Sequence, residues 1–300
     1  MGANLRTAAV SPVPPFPIAA AEVVVEIRGD PRRPGGRLVL QDGVESSYID
    51  IAEPTRLEFE YLRHLSRAVD AMHPKRLPMA MMQIGGGPCA FPRYLDATRR
   101  DLRAVVVERD PGVIGIAREW LGLCTSPRLE VRIGDGREAL TQVPPASLDL
   151  VVVDAFTGVL VPHHLATGEF AEIARAALRP GGLHVVNLID IPPLGYAAAA
   201  VATLCDHYTS VIVLADRETI ERRSSGNLVL VASDRPIPDE RLARFARLDP
   251  DPWDVLSGRR LERLVDGAAP LADDVAPDHP LATLSPLWGR SRGPRAAVRP

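Results

Sequence analysis

Met79-Ala-Met-Met-Gln-Ile-Gly-Gly-Gly-Pro-Cys-Ala90 is a short apolar run that breaks into three consecutive glycines. Such a run reads as a buried strand. Gly85-Gly86-Gly87 then reads as a loop whose backbone approaches something closely, because a residue without Cβ reaches positive φ and leaves room for a ligand. A nucleoside is the expected occupant. The pattern repeats downstream. Residues 103–107 form an apolar strand ending in Glu108, and Asp110-Pro111 opens a helix with proline at its first position. Residues 129–133 lead into Gly134-Asp135-Gly136 and a helix over 137–142. Residues 148–153 end in Asp154, a loop runs through Pro162-His163-His164, and a helix over 167–178 stops at Arg179-Pro-Gly-Gly182. Residues 183–188 end near Asp190, a helix covers 194–207, and residues 211–214 and 227–232 read as a closing antiparallel pair. Strands alternating with helices predict a doubly wound, Rossmann-like α/β sheet.

Upstream, Val23-Val-Val-Glu-Ile27, Arg37-Leu-Val-Leu40 and Ser46-Ser-Tyr-Ile-Asp-Ile51 alternate as strands, with Asp42-Gly43 as a hairpin signal. Thr55-Arg-Leu-Glu58 has the capping-box pattern. It predicts a helix to about residue 71, with Leu57, Tyr61 and Leu65 on one face. The expected divisions are a disordered tail over 1–21, a β element over 22–54, the Rossmann-like domain over 55–235, and a partly disordered extension over 236–300. The extension is rich in Pro, Asp and Arg and has one helical stretch near 239–247.

Composition narrows the class. With 46% hydrophobic and 24% charged residues and a net charge of −3, a soluble globular protein is expected, and no basic run points to nucleic acid. Three cysteines without a C-x-x-C pair indicate neither a disulfide framework nor a metal site, so a cytoplasmic protein is expected. Prolines 12, 14, 15 and 17 interrupt any leader-like apolar stretch, and no segment reaches the roughly 18 apolar residues of a membrane span.

Ligands of open α/β sheets sit beyond the carboxyl ends of the strands, so the residues there are the candidates. They are Gly85, Gly86, Gly87, Glu108, Asp135, Gly136, Asp154 and Asp190. An acid at the end of the second strand suits a ribose diol, which is the role expected of Glu108. Asp135 is placed to accept the adenine amino group. Gly85 through Ala90 has G-x-G followed by x-x-Ala, so spacing alone leaves a dinucleotide open. Gly134-Asp135-Gly136 favours a single nucleoside. His163 and His164 read as loop residues, and Cys89 as a packing residue.

Taken together, Gly85-Gly-Gly, Val107-Glu-Arg-Asp-Pro-Gly-Val113, Gly134-Asp-Gly136, Leu150-Val-Val-Val-Asp-Ala155 and Leu178-Arg-Pro-Gly-Gly182 resemble the spermidine synthase-like family of S-adenosyl-dependent, methyltransferase-type folds. The resemblance extends from about residue 22 to 234. It implies an N-terminal β domain, a seven-stranded sheet of the class I methyltransferase type closed by a hairpin, and a homodimer. It also implies S-adenosylmethionine or its decarboxylated form as cofactor, and a small-molecule acceptor addressed by Asp154 as the catalytic residue. Tyr61, Thr157 and Asp190 are the expected acceptor-binding positions.

The chain departs from the family pattern at several of these positions. Pro88 and Cys89 replace the end of the family's G-G-G-D-G. Thr157 stands at the second acid of D-x-x-D, and Tyr61-Leu62-Arg63 replaces Y-H-E. A diamine is a dication that needs several carboxylates, and Arg63 is expected to repel it, so putrescine is a poor candidate. Either a methyl or an aminopropyl transferase fits. A nucleoside-binding module without turnover is the alternative.

Overall fold

The computed structural model describes residues 12–249, 251 and 253–275; expectations for residues 1–11 and 276–300 lie outside the described residues. Four strands come first: β1 (Ile18–Ala19), β2 (Val24–Asp30), β3 (Arg33–Gln41) and β4 (Val44–Asp50), an antiparallel sheet in chain order. Asp42 and Gly43 turn the chain between β3 and β4 with φ of 49° and 80°, the two-residue hairpin geometry that an Asp-Gly pair adopts most readily. β1 falls within the stretch read as a tail. It pairs with β2, and the amides of Ala21 and Glu22 just beyond it donate to Asp110.

The main domain opens with α1 (Glu60–Met72). The capping box does not form: Phe59 is the N-cap residue and makes no side-chain cap bond, while Glu58 pairs with Arg56. Leu57 and Phe59 both pack on the core, and an i, i+2 pair meets one surface only from an extended chain. There follow β5 (Met79–Gly85), α2 (Ala90–Thr98), β6 (Leu102–Glu108), α3 (Pro111–Trp120), β7 (Leu129–Ile133), α4 (Gly136–Thr141) and β8 (Leu148–Asp154). After a 3-10 turn over His163–Leu165 come α5 (Gly168–Ala177), β9 (Leu178–Asp190), α6 (Gly195–His207), β10 (Ser210–Asp216), α7 (Arg217–Ile220) and β11 (Gly226–Ser233). The chain continues through α8 (Asp239–Leu248), β12 (Trp253–Leu256) and α9 (Gly258–Val265).

The large sheet runs β12-β10-β11-β9-β8-β5-β6-β7. β5 to β9 pair in parallel, and β10, β11 and β12 join antiparallel. The Rossmann-like class stands, with one strand more than the seven expected. The extra strand, β12, belongs to the segment read as an extension; at four residues it is too short for periodicity to reveal. Trp253, 2% exposed, anchors it, with its ring 4.9 Å from that of His64.

Helices cover both faces of the sheet. One core joins α1, α2, α3, α8 and the small sheet, and the other joins α4, α5, α6 and α9. Strands buried on both faces read as near-continuous apolar runs, as Leu148–Asp154 does. β5 and β8 are neighbours, yet the chain visits β6 and β7 between them. The winding direction reverses at that point and opens a crevice at the carboxyl ends. Gly85 and Asp154 are register partners across it.

Candidate functional site

A cleft of about 190 Å³ occupies this crevice, its floor formed by the ends of β5, β6 and β8 and its wall by β3 and β4. The three glycines adopt φ of 73°, 93° and 47°, values that L side chains reach only with strain. A Cβ on Gly85 would stand 2.6 Å from the Ala155 backbone and the Asp154 carbonyl, and one on Gly86 would stand 1.9 Å from Gln83 Nε2. Gln83, 1% exposed, supports the loop from below, its Nε2 donating to the Gly85 carbonyl at 3.3 Å. The Cys89 thiol is buried beneath the loop. Burial pushes it up to about 12, which keeps it protonated and poorly nucleophilic.

At one end of the cleft stand Glu108 and Asp135. Glu108 Oε1 accepts the amides of Arg109 at 2.8 Å and Asp110 at 3.1 Å. Burial raises its pKa against these backbone donors. Asp110 caps α3 through the Gly112 amide at 2.7 Å. It also holds the amides of Ala21 and Glu22, at 3.0 and 2.7 Å, tying the small sheet to the rim. Asp135 caps α4 through the Glu138 amide at 3.0 Å, and its Oδ2 lies 2.9 Å from His164 Nε2. Burial pushes Asp135 up, but the Glu138 amide and His164 outweigh it and the pKa falls below the usual carboxylate value. Gly136 admits no side chain, since a Cβ would meet Ile84 Cγ2 at 2.1 Å.

At the other end Asp154, 7% exposed, receives Asn187 Nδ2 on Oδ1 at 2.8 Å and the Tyr61 hydroxyl on Oδ2 at 3.2 Å. Asn187 Oδ1 in turn accepts from Asn227 Nδ2 at 3.0 Å. Burial raises the Asp154 pKa while Asn187 and Tyr61 oppose it. The same burial, with the charge of Asp154, holds the Tyr61 phenol well above its ordinary value. Thr157 is exposed on the cleft rim, its amide bonded to the Leu160 carbonyl at 2.8 Å.

Two expectations need correction. Asp190 is fully buried and absent from the cleft wall. Its carboxylate takes the amides of Ile191 and Ala197, both at 2.8 Å, so it organises the entry to α6 rather than meeting an acceptor. Arg63 does not face the cleft either. It donates to the Glu58 carbonyl and to Asp251 Oδ2 at 2.9 Å and is absent from the cleft wall. Conversely, Asn187, Asn227, Gln83 and His164 reach the site unannounced by any motif. Among the described residues no group of three or more His, Cys, Asp or Glu side chains is placed to hold a metal ion, and no helix is long and apolar enough to cross a membrane.

No family model matches the chain. A polyamine aminopropyltransferase of Halorhodospira halophila is 34% identical over 139 residues, which cover 45% of this chain and 50% of that protein. The chain thus spans about half the length of this curated relative. A probable spermidine synthase from Corynebacterium glutamicum superposes with a TM-score of 0.80 at 29% identity, covering 87% of this chain and 97% of its own. Human methyltransferase-like protein 13, solved in complex with SAH, matches with a TM-score of 0.52 at 21% identity, covering 73% of this chain and 97% of its own, a likeness of fold alone.

Proposed function

We propose that this spermidine synthase-like chain of methyltransferase-type fold is an S-adenosyl-dependent transferase acting on a small-molecule acceptor. The observation that carries the reading is the pairing of Gly85 with Asp154 across the switch point: a cradle that excludes side chains lies beside a buried carboxylate. The residues present fit an S-adenosyl group. Gly85 to Gly87 leave space for its thioether region, Glu108 would take the ribose diol and Asp135 the adenine amino group. When bound, the sulfonium supplies the chemistry, since the acceptor's lone pair bonds to the carbon on sulfur while the C–S electron pair leaves with a neutral thioether.

The protein's own part is positioning and proton handling. Tyr61 and Asn187 fix both oxygens of Asp154 and leave each with lone-pair capacity for an acceptor N–H. A carboxylate raised by burial is better able to take the proton that the attacking nitrogen sheds. Pro88, on the cleft wall, carries no charge where the family pattern has an acid, which favours tolerance of intact S-adenosylmethionine. Pairing of two chains belongs to the same proposal.

Asp154→Asn tests the assignment. It should abolish transfer to any acceptor found by mass-spectrometric screening while leaving nucleoside binding intact, and unchanged transfer would remove Asp154 from the mechanism.

A further inference from the structure

The surroundings of Asp154 define a class of acceptor, on the premise of the transferase reading above. Both groups bonded to its carboxylate, Tyr61 and Asn187, are neutral donors. Behind Asn187 stands Asn227, the register partner of Ile189 across β11 and β9. The Phe59 ring lies 6.2 Å from that of Tyr61, and Phe156 and Thr157 follow Asp154 in the same wall. No side chain in this set is charged.

The remaining acids of the cleft lie toward its nucleoside end and its rim. Glu108 and Asp110 hold backbone amides, Asp135 caps α4 and meets His164, and Glu22 pairs with Arg109. Glu45 is exposed and lies in the field of Arg28. Within the cleft wall, an amine bound at Asp154 therefore finds one carboxylate and a neutral, partly apolar continuation. A second ammonium on the same molecule would lose its hydration without gaining a counter-charge, which is strongly unfavourable. An uncharged tail would instead bury against Phe59, Phe156 and Ile189.

We propose that the acceptor is a monoamine with an uncharged tail, and that Ile189 and Asn227 select against a second ammonium. The test is calorimetric titration of the full chain, saturated with 5′-methylthioadenosine, using n-butylamine and 1,4-diaminobutane. The monoamine is expected to bind at least about tenfold more tightly. Ile189→Glu should reverse the preference by supplying a second carboxylate, and Asn227→Asp on the neighbouring strand should do the same where Ile189→Glu does not fold. Equal or tighter binding of the diamine to the unaltered protein would overturn the proposal, as would binding of neither amine to the nucleoside-loaded chain. Failure of the nucleoside itself to bind would overturn the transferase reading beneath it.

Discussion

Arg137 and Asp273 meet fork to fork, with Nη1–Oδ1 and Nη2–Oδ2 both at 2.7 Å. Asp273 Oδ1 also accepts from the Thr167 hydroxyl at 2.8 Å, and Arg137 Nη1 reaches the His164 carbonyl at 3.2 Å. One ion pair therefore ties the chain after α9 to the turn that brings His164 onto Asp135. Bidentate geometry strengthens such a pair, while partial exposure limits it. Asp273→Asn is expected to lower the melting temperature by about 2 to 4 °C, the shift produced by roughly 1 kcal/mol. It should also weaken 5′-methylthioadenosine binding several-fold by calorimetry; unchanged affinity would separate the pair from the nucleoside end. Arg137 and Thr167 hold the Asp273 carboxyl down at about 2. Its contribution is therefore complete above the ordinary carboxylate range and disappears as the pH falls toward that value.

Gly85 and Gly43 offer a matched comparison. Both have positive φ, at 73° and 80°, but a Cβ on Gly43 would meet nothing within 4 Å, whereas one on Gly85 would strike backbone at 2.6 Å. Gly43→Ala should cost about 1 kcal/mol from backbone strain alone. Gly85→Ala should cost about 3 kcal/mol or more and abolish nucleoside binding. Urea unfolding of the two variants checks the difference, and equal costs would show that the loop has room to yield.

Asp216, at the end of β10, shares a hydrogen bond with Glu60 at the start of α1. Burial first and then Glu60 raise its pKa, with Asp251 adding and Arg63 opposing. A carboxyl whose pKa is higher folded than unfolded binds its proton more tightly in the native state. Stability should therefore fall as the pH rises above the ordinary carboxylate value of about 4. Asp216→Asn should flatten that decline in denaturation midpoints measured between about pH 4 and 8. An unchanged slope would assign the pH dependence to other groups.

Trp253 tests whether β12 is integral to the fold. Trp253→Ala should destabilise by about 3 to 5 kcal/mol, as loss of a buried indole does. The indole Nε1 has no hydrogen-bond partner among the described residues, so Trp253→Phe should retain most of the stability. A cost below about 1 kcal/mol for the alanine variant would mean that β12 is an ornament on the sheet.

The parts of this architecture that are local were readable from the chain. Gly85, Glu108 and Asp154 each end a strand, with Gly86, Gly87 and Asp135 just beyond one, and an apolar run followed by an abrupt polar or glycine residue marks such an end without tertiary knowledge. What escaped reading depends on partners distant in sequence. Asn187 and Asn227 look like ordinary strand residues until β9 and β11 align them with Asp154. His164 gains meaning only through Asp135, and Arg63 turns away because Asp251 offers it a carboxylate. Asp190 misled because a strand-end acid serves equally well to hold the first amides of the following helix.

The most direct test of the central claim is isothermal titration of the full chain with S-adenosylmethionine and with its decarboxylated form. One site per chain is expected, occupied by both forms with affinities within about tenfold, roughly 1.4 kcal/mol, and retained in Asp154→Asn. Binding of neither form to the unaltered protein would contradict the assignment of the cleft between Gly85 and Asp154 as an S-adenosyl site.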